Sequence, residues 1–226
     1  MNRESNTYTI IYASVMVVFV ALLLAFTSES LRSLQKKNEA NDKRQQILRS
    51  VNVSVTGADI EKKYNELIRE SFLVNDKGQK VGGDAFTVDP AKMFTENTFP
   101  VFIAQINGQT KYILAMRGAG LWGPIWGYIA VNDDGNTVFG TDFSHQGETP
   151  GLGAEISTVA FSSQFSGKQL FRSGKFMSVA IVKPGKAVQG QDYVDGISGG
   201  SITSVGVDHM IRESLECYVE FIKTIN

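Results

Sequence analysis

FPVFIAQINGQTKYILAMR, residues 99–117, places two apolar runs, Phe99 to Ile106 and Lys111 to Arg117, on either side of an Asn107-Gly108 pair. Asn-Gly accepts the left-handed backbone of a tight hairpin turn, whose twist matches that of the strands it joins. The stretch therefore predicts an antiparallel hairpin. A second hairpin follows from Ile125 to Asn132, a turn at Asp133-Asp134-Gly135, and Thr137 to Phe143. Between the two, Gly118-Ala119-Gly120-Leu121-Trp122-Gly123-Pro124 is too rich in glycine for a strand interior and reads as a loop.

Outward from the hairpins the pattern turns helical. Upstream, Ile60, Tyr64, Leu67 and Ile68 fall on one face of an amphipathic helix expected over 54–71, and residues 75–97 read as an irregular connection. Downstream, a Pro/Gly-rich run over 145–155 leads into a helical pattern through Ile156, Val159, Ala160 and Phe165. A strand is expected over Phe176 to Lys183. A last helix is expected from about Ile202 to Ile225, with Val205, Met210, Ile211, Leu215, Tyr218, Val219 and Ile222 as its apolar stripe. Hairpins with helices before, between and after them make an α+β domain.

Ile10 to Phe26, IIYASVMVVFVALLLAF, is an uncharged apolar run of 17, extended by Tyr8, Thr9 and Thr27. Roughly 17–25 such residues span a bilayer. A cleaved signal peptide would have a shorter apolar region and a small-residue cleavage site, whereas Ser28-Glu29-Ser30-Leu31 continues into helical, charged sequence. The expected organisation is an N-terminal segment 1–29 with a retained transmembrane helix over about 9–27, a helical linker 30–53, and a domain over 54–226. Arg3 precedes the span and Arg32, Lys36, Lys37, Lys43 and Arg44 follow it, so charge alone puts the domain in the cytoplasm.

Composition narrows the chemistry. With 22 basic and 23 acidic residues, nothing argues for a nucleic-acid partner. One cysteine, Cys217, and two histidines, His145 and His209, exclude an intrachain disulfide and leave no cluster for a zinc or iron–sulfur site or a Cys–His nucleophile. No metal site and no catalytic residue is expected. No Gly-x-Gly-x-x-Gly run follows a strand to open a helix, so the chain is not expected to bind a dinucleotide itself. Any redox chemistry must come from a cofactor.

Asp195-Gly196-Ile197-Ser198-Gly199-Gly200-Ser201-Ile202-Thr203 stands at the start of the last helix, where backbone N–H groups lack intrahelical partners and favour a phosphate. On spacing alone it reads first as a Ser/Gly turn with Ser201 as N-cap of the last helix. The run resembles the flavinylation motif Asp-Gly-x-Ser/Thr-Gly-Ala-Thr/Ser, in which the last hydroxyl is esterified to FMN by a flavin transferase that uses FAD as donor. Gly200 stands where alanine is usual and Ser201 where threonine is commoner. The resemblance makes Ser201 the acceptor, with Thr203 a competing hydroxyl. Asp195, Gly196 and Ser198 become transferase recognition elements, and Gly199 and Gly200 give backbone access. Lys183 could neutralise phosphate.

Glu148-Thr149-Pro150-Gly151-Leu152-Gly153 is turn punctuation in its plainest sense. Its functional sense is a seat for a flat ring, with backbone amides brought close by Gly151 and Gly153, and Glu148, Thr149 and Leu152 as ring neighbours. The two motifs in this order, after one anchor, resemble the NqrC family, the C component of the Na+-translocating NADH:quinone oxidoreductase. The related G component of the ion-translocating ferredoxin:NAD oxidoreductase (Rnf) complex shares both motifs, but Gly-Leu-Trp-Gly-Pro-Ile-Trp-Gly-Tyr over 120–128 looks like the former.

That resemblance implies an FMN-binding electron carrier, single-pass in a bacterial inner membrane with its domain periplasmic, against the charge count. It implies five partner proteins in the complex, designated A, B, D, E and F. Electrons would be received from a metal centre in membrane components and passed to a flavin in the B component, with NADH oxidation and quinone reduction coupled to Na+ export. A membrane-anchored module binding flavin non-covalently and an assembly component without flavin are the alternatives. Trp122 and Trp126 are expected in packing or an interface. His145 is expected to be a structural hydrogen-bonder.

Overall fold

The computed structural model describes residues 5–225. Arg3, counted above in the charge balance, lies outside them. The chain divides into two compact units, Met1–Lys43 and Arg44–Asn226. The first is helical. Helix α1 (Asn6–Ser50) runs unbroken for 45 residues through both the apolar run and the charged sequence after it. It is the one helix among the described residues long and apolar enough to cross a membrane, and the apolar side chains of Ile10 to Phe26 are exposed along it.

The second unit begins within the last turns of α1, where Ile47 and Leu48 are fully buried. Helix α2 (Asp59–Leu67) buries Ile60 and Tyr64. The helix expected over 54–71 stops short because Ile68 opens strand β1 (Ile68–Val74), whose backbone pairs antiparallel with a later strand from Ile68↔Ala104 to Val74↔Phe99. Sheet pairing overrides the local helical period there. β2 (Lys80–Val81) adds an edge, and a single 3-10 turn at Pro90–Lys92 lies in the connection expected to be irregular.

The two expected hairpins form as β3 (Phe99–Ile106) with β4 (Gln109–Ala119), and β5 (Pro124–Asn132) with β6 (Val138–His145). At the first turn Asn107 and Gly108 take φ of 51° and 79°, the left-handed pair that Asn-Gly permits. The result is a six-stranded antiparallel sheet in the order β2-β1-β3-β4-β5-β6. The α+β class is as the sequence predicts.

Both faces of the sheet are covered. Phe102, Ala104, Ile113, Ala115, Tyr128 and Ala130 pack with Ile47, Leu48 and Tyr64, while the alternate residues Val101, Leu114, Met116, Ile129 and Val131 face the C-terminal helix. Strands buried on both sides read as nearly continuous apolar runs, which is how 99–117 looks in sequence. On the first face Arg49 holds Asp142 of β6 through Nε (2.7 Å) and Nη2 (3.1 Å). Burial pushes the Asp142 carboxyl above its ordinary range, outweighing the downward pull of the guanidinium.

After β6 come a 3-10 turn (Gly153–Ser157), α3 (Val159–Ser162) and a further 3-10 turn (Ser163–Phe165), in place of one longer helix. β7 (Phe171–Arg172) and β8 (Lys175–Phe176) form a small hairpin, and β9 (Ala180–Val182) pairs in parallel with β10 (Tyr193–Asp195). The strand expected over 176–183 is thus divided between β8 and β9 by Ser178, whose φ is 64°. The last helix is likewise two, α4 (Ser201–Glu216) and α5 (Val219–Ile222). They part at the fully buried Tyr218, whose hydroxyl lies 2.9 Å from the Pro100 carbonyl and 3.2 Å from that of Ala115.

Candidate functional site

β6 ends at His145, and the chain turns away with the Glu148 N–H donating to His145 Nδ1 at 3.2 Å. His145 is a structural hydrogen-bonder, as expected. That turn sends the Glu148 side chain inward, where it is 5 % exposed. Its Oε1 accepts the backbone N–H of Trp122 at 2.8 Å, and its Oε2 accepts the Thr203 hydroxyl at 2.6 Å. One carboxylate therefore joins the β4–β5 loop, the loop after β6 and the first turn of α4. No cation pairs with it among the described residues.

Two glycines make room for that group. A Cβ on Gly120 would come within 2.5 Å of Glu148 Oε1, and one on Gly153 would strike both Oε2 and Thr203 Oγ1. Each glycine lets backbone close over the carboxylate.

Ser201 and Thr203, two residues apart, have opposite surroundings. Helix α4 begins at Ser201 with Gly200 as N-cap and no side-chain cap, so the expectation of a Ser201 N-cap does not hold. The Ser201 side chain is exposed, and its hydroxyl bonds to nothing among the described residues. Thr203 is 1 % exposed. The loop is tied instead by Ser204, whose Oγ accepts the Ile197 N–H at 2.9 Å.

Ser201 opens onto a groove of about 280 Å³ lined by Lys183, Gly196, Ser198, Gly199 and Val205, among others. Leu152, 43 % exposed, lies against Gly199, where a Cβ would come within 2.7 Å of Leu152 Cδ2. Gly199 has φ of 77°. Beside these, Leu121, Trp122, Ile202 and Val205 leave apolar surface exposed.

The fold thus brings Glu148, Leu152, Gly153, Gly199, Gly200, Ser201 and Thr203 together, with Lys183 and Ser198 in the adjoining groove. Thr149 and Gly151 sit on the outer side of their loop, exposed, with the Thr149 carbonyl accepting from Leu152 and Ala154 and the Gly151 N–H donating to Glu155. Asp195 is exposed at the end of β10, its backbone paired to the Gln164 amide. Trp126 is a packing residue, its indole N–H donating to Gln46 at 3.0 Å. Sequence reasoning missed Gly120, the Trp122 N–H and Ser204. The signal available for Gly120 was its place in the Gly-rich run over 118–124; for a backbone donor and a helix serine there was none.

Residues 120–216 match the FMN-binding domain family. The C subunit of the Na(+)-translocating NADH-quinone reductase of Vibrio vulnificus (strain YJ016) is 31% identical over 211 residues, which cover 84% of this chain and 82% of that one. A crystal structure of the same component from Parabacteroides distasonis ATCC 8503 is similar with a TM-score of 0.84 and 66% identity, over 85% of this chain and 96% of that chain. A crystal structure of Shewanella oneidensis NqrC is similar with a TM-score of 0.69 and 25% identity, over 83% of this chain and 98% of that chain.

Proposed function

Since the chain belongs to the NqrC family, the C subunits of the Na(+)-translocating NADH-quinone reductases, we propose that it is a membrane-anchored electron carrier whose FMN is held as a phosphoester on Ser201 Oγ. The observation that carries this reading is the contrast at the start of α4. Ser201 presents a hydroxyl engaged by nothing else among the described residues beside a groove of about 280 Å³, while the neighbouring hydroxyl of Thr203 is buried.

The residues fit such a group. Helix-start N–H groups and the positive end of the α4 dipole suit a phosphate, and Lys183 lines the same groove. Gly199 lets the loop approach closely without a side chain, and the exposed Leu152 against it offers an apolar shelf to a flat ring. Attachment replaces the Ser201 O–H bond with an O–P bond. The donor is a flavin dinucleotide, whose pyrophosphate link breaks, releasing a nucleoside monophosphate and the hydroxyl proton. Asp195, Gly196 and Ser198 are exposed or half-buried beside the acceptor, where a transferase can reach them.

Bound FMN supplies reversible acceptance of electrons, and a covalent tether keeps it from leaving between redox states. The chain's own part is to hold that group at a fixed place beside the exposed Trp122, Ile202 and Val205, where partner proteins of the complex meet it. Within such a complex the carrier relays electrons between NADH oxidation and quinone reduction, coupled to Na+ export. The anchor is a single span by α1 in a bacterial inner membrane, and the domain is periplasmic. Long domains translocate regardless of flanking charge, which reconciles this orientation with the basic residues after the span.

The test is the intact mass of the chain purified under denaturing conditions from cells that possess a flavin transferase, followed by peptide mapping. The expected result is a gain of one FMN less water on the peptide containing Ser201, lost entirely in Ser201→Ala. An unmodified mass would overturn the reading.

A further inference from the structure

The first turn of α4 offers two hydroxyls, and the helix alone does not choose between them. Residues two apart on a helix point about 200° apart, so one faces out when the other faces in, and a rotation of the first turn would exchange their access. Locally that turn is held only at Ser204, whose Oγ accepts the Ile197 N–H at 2.9 Å, and neither acceptor hydroxyl takes part in that contact. Gly200 supplies no side-chain cap, and no acidic residue lies in the first turn.

At Thr203 itself the register is fixed from outside the helix, by Glu148. A threonine in a helix ordinarily turns its hydroxyl to a carbonyl of the preceding turn. Thr203 instead donates across 55 residues to Glu148 Oε2 at 2.6 Å, and Glu148 Oε1 is itself held by the Trp122 N–H at 2.8 Å. A group joined to two separate segments cannot follow a rotation of α4. Gly153 closes over the pair so tightly that a Cβ there would overlap both.

We propose that Glu148 selects the acceptor hydroxyl: by engaging Thr203 it withholds that oxygen from phosphoester formation and fixes Ser201 facing the groove. This rests on Ser201 being the FMN acceptor and adds to it a positioning residue that does not touch the transferred group. The chemistry balances identically at either hydroxyl, with an O–P bond replacing O–H. Selection therefore lies in access and in the commitment of the Thr203 proton, both of which depend on Glu148.

The experiment maps the flavin label by peptide fragmentation on the full chain co-expressed with the flavin transferase, in wild type, Ser201→Ala, Glu148→Ala and Glu148→Gln. Wild type is expected to carry label on Ser201 alone, and Ser201→Ala to carry none. Glu148→Ala is expected to move roughly a tenth or more of the label to Thr203, a selectivity loss corresponding to about 1.4 kcal/mol per tenfold. Glu148→Gln is expected to keep label on Ser201, because its amide can accept from Trp122 and donate to the Thr203 oxygen. A purely structural role would change how much chain is labelled and not where. Label on Thr203 in Ser201→Ala with Glu148 intact would overturn the proposal while leaving a covalent carrier standing. So would Glu148→Ala labelled only at Ser201 to the wild-type extent. If Glu148→Ala does not accumulate as folded protein, Ser201→Ala, a surface change, still decides. A wild-type chain without label would instead remove the underlying reading of the site.

Discussion

Asp142 in β6 and Glu148 just beyond it are both buried carboxylates, 6 % and 5 % exposed, and they are held by opposite means. Asp142 is gripped by the two nitrogens of one guanidinium, and it lines a pocket of about 210 Å³ with Arg49, Asn52 and Ser162 through which water can reach it. Glu148 has only uncharged donors, one backbone N–H and one hydroxyl, and Gly120 and Gly153 seal it. The first arrangement fastens the last turn of α1 to the sheet by charge. The second fastens three loops to one another by geometry. A carboxylate buried without a cation is costly to keep, and its position at the meeting point of the candidate flavin seat is where such a cost has a use.

The comparison breaks hardest at Glu148. Glu148→Ala takes from the Trp122 N–H and the Thr203 hydroxyl the acceptor they share, each loss costing about 1–3 kcal/mol, so a loss of about 3 kcal/mol is expected. Chemical denaturation of the detergent-solubilised chain would show it as a lowered midpoint with unchanged slope. Glu148→Gln is expected to lose less than half as much, since its amide can serve both partners. Equal losses for the two variants would mean that the site needs the carboxylate itself, since Glu148→Gln keeps the volume and still fails.

Arg49→Ala is the smaller break. Removing one partner of a fully buried pair costs about 3–5 kcal/mol, but Arg49 is 36 % exposed and the adjoining pocket admits water, so about 2 kcal/mol is expected by the same measurement. A cost above that of Glu148→Ala would reverse the order of the two carboxylates.

The two regions also differ in how far the sequence foretold them. Hairpins β3–β4 and β5–β6 were legible because Asn107-Gly108 and Asp133-Asp134-Gly135 punctuate apolar runs, and those signals are local. The end of α2 at Ile68 was not, because pairing with Ala104 on β3, far along the chain, decides it. At the site, the Gly-rich motifs pointed to the right loops, since glycine marks close backbone approach. What the motifs could not reveal is that Glu148 and Thr203 bond to each other. Read singly, one looked like a ring neighbour and the other like a competing acceptor hydroxyl. Their bond depends on a backbone N–H at Trp122 and on two glycines in different loops, and no spacing in the sequence encodes that meeting. Arg49–Asp142 was invisible for the same reason, its partners being 93 residues apart.

The finest test of the contrast is the pH dependence at Asp142, where burial and Arg49 pull in opposite directions and burial wins. A carboxyl whose folded pKa lies above its unfolded value binds its proton more tightly when folded. Its contribution to stability is therefore complete below the unfolded pKa, about 3.9, and is lost as pH rises through the folded value. Asp142→Asn removes that titration and leaves the amide oxygen for Arg49 to donate to. Measured side by side, the stability of wild type relative to Asp142→Asn is expected to decline as pH climbs from about 4 through the folded pKa, then to level off. The change is expected to be smaller than the cost of Arg49→Ala. A relative stability that climbs over the same window would mean that the guanidinium outweighs burial. Asp142 would then be a net stabilising charge pair. The expected decline instead makes the pair a latch, which holds the end of α1 in one place on the sheet at some cost in stability at neutral pH.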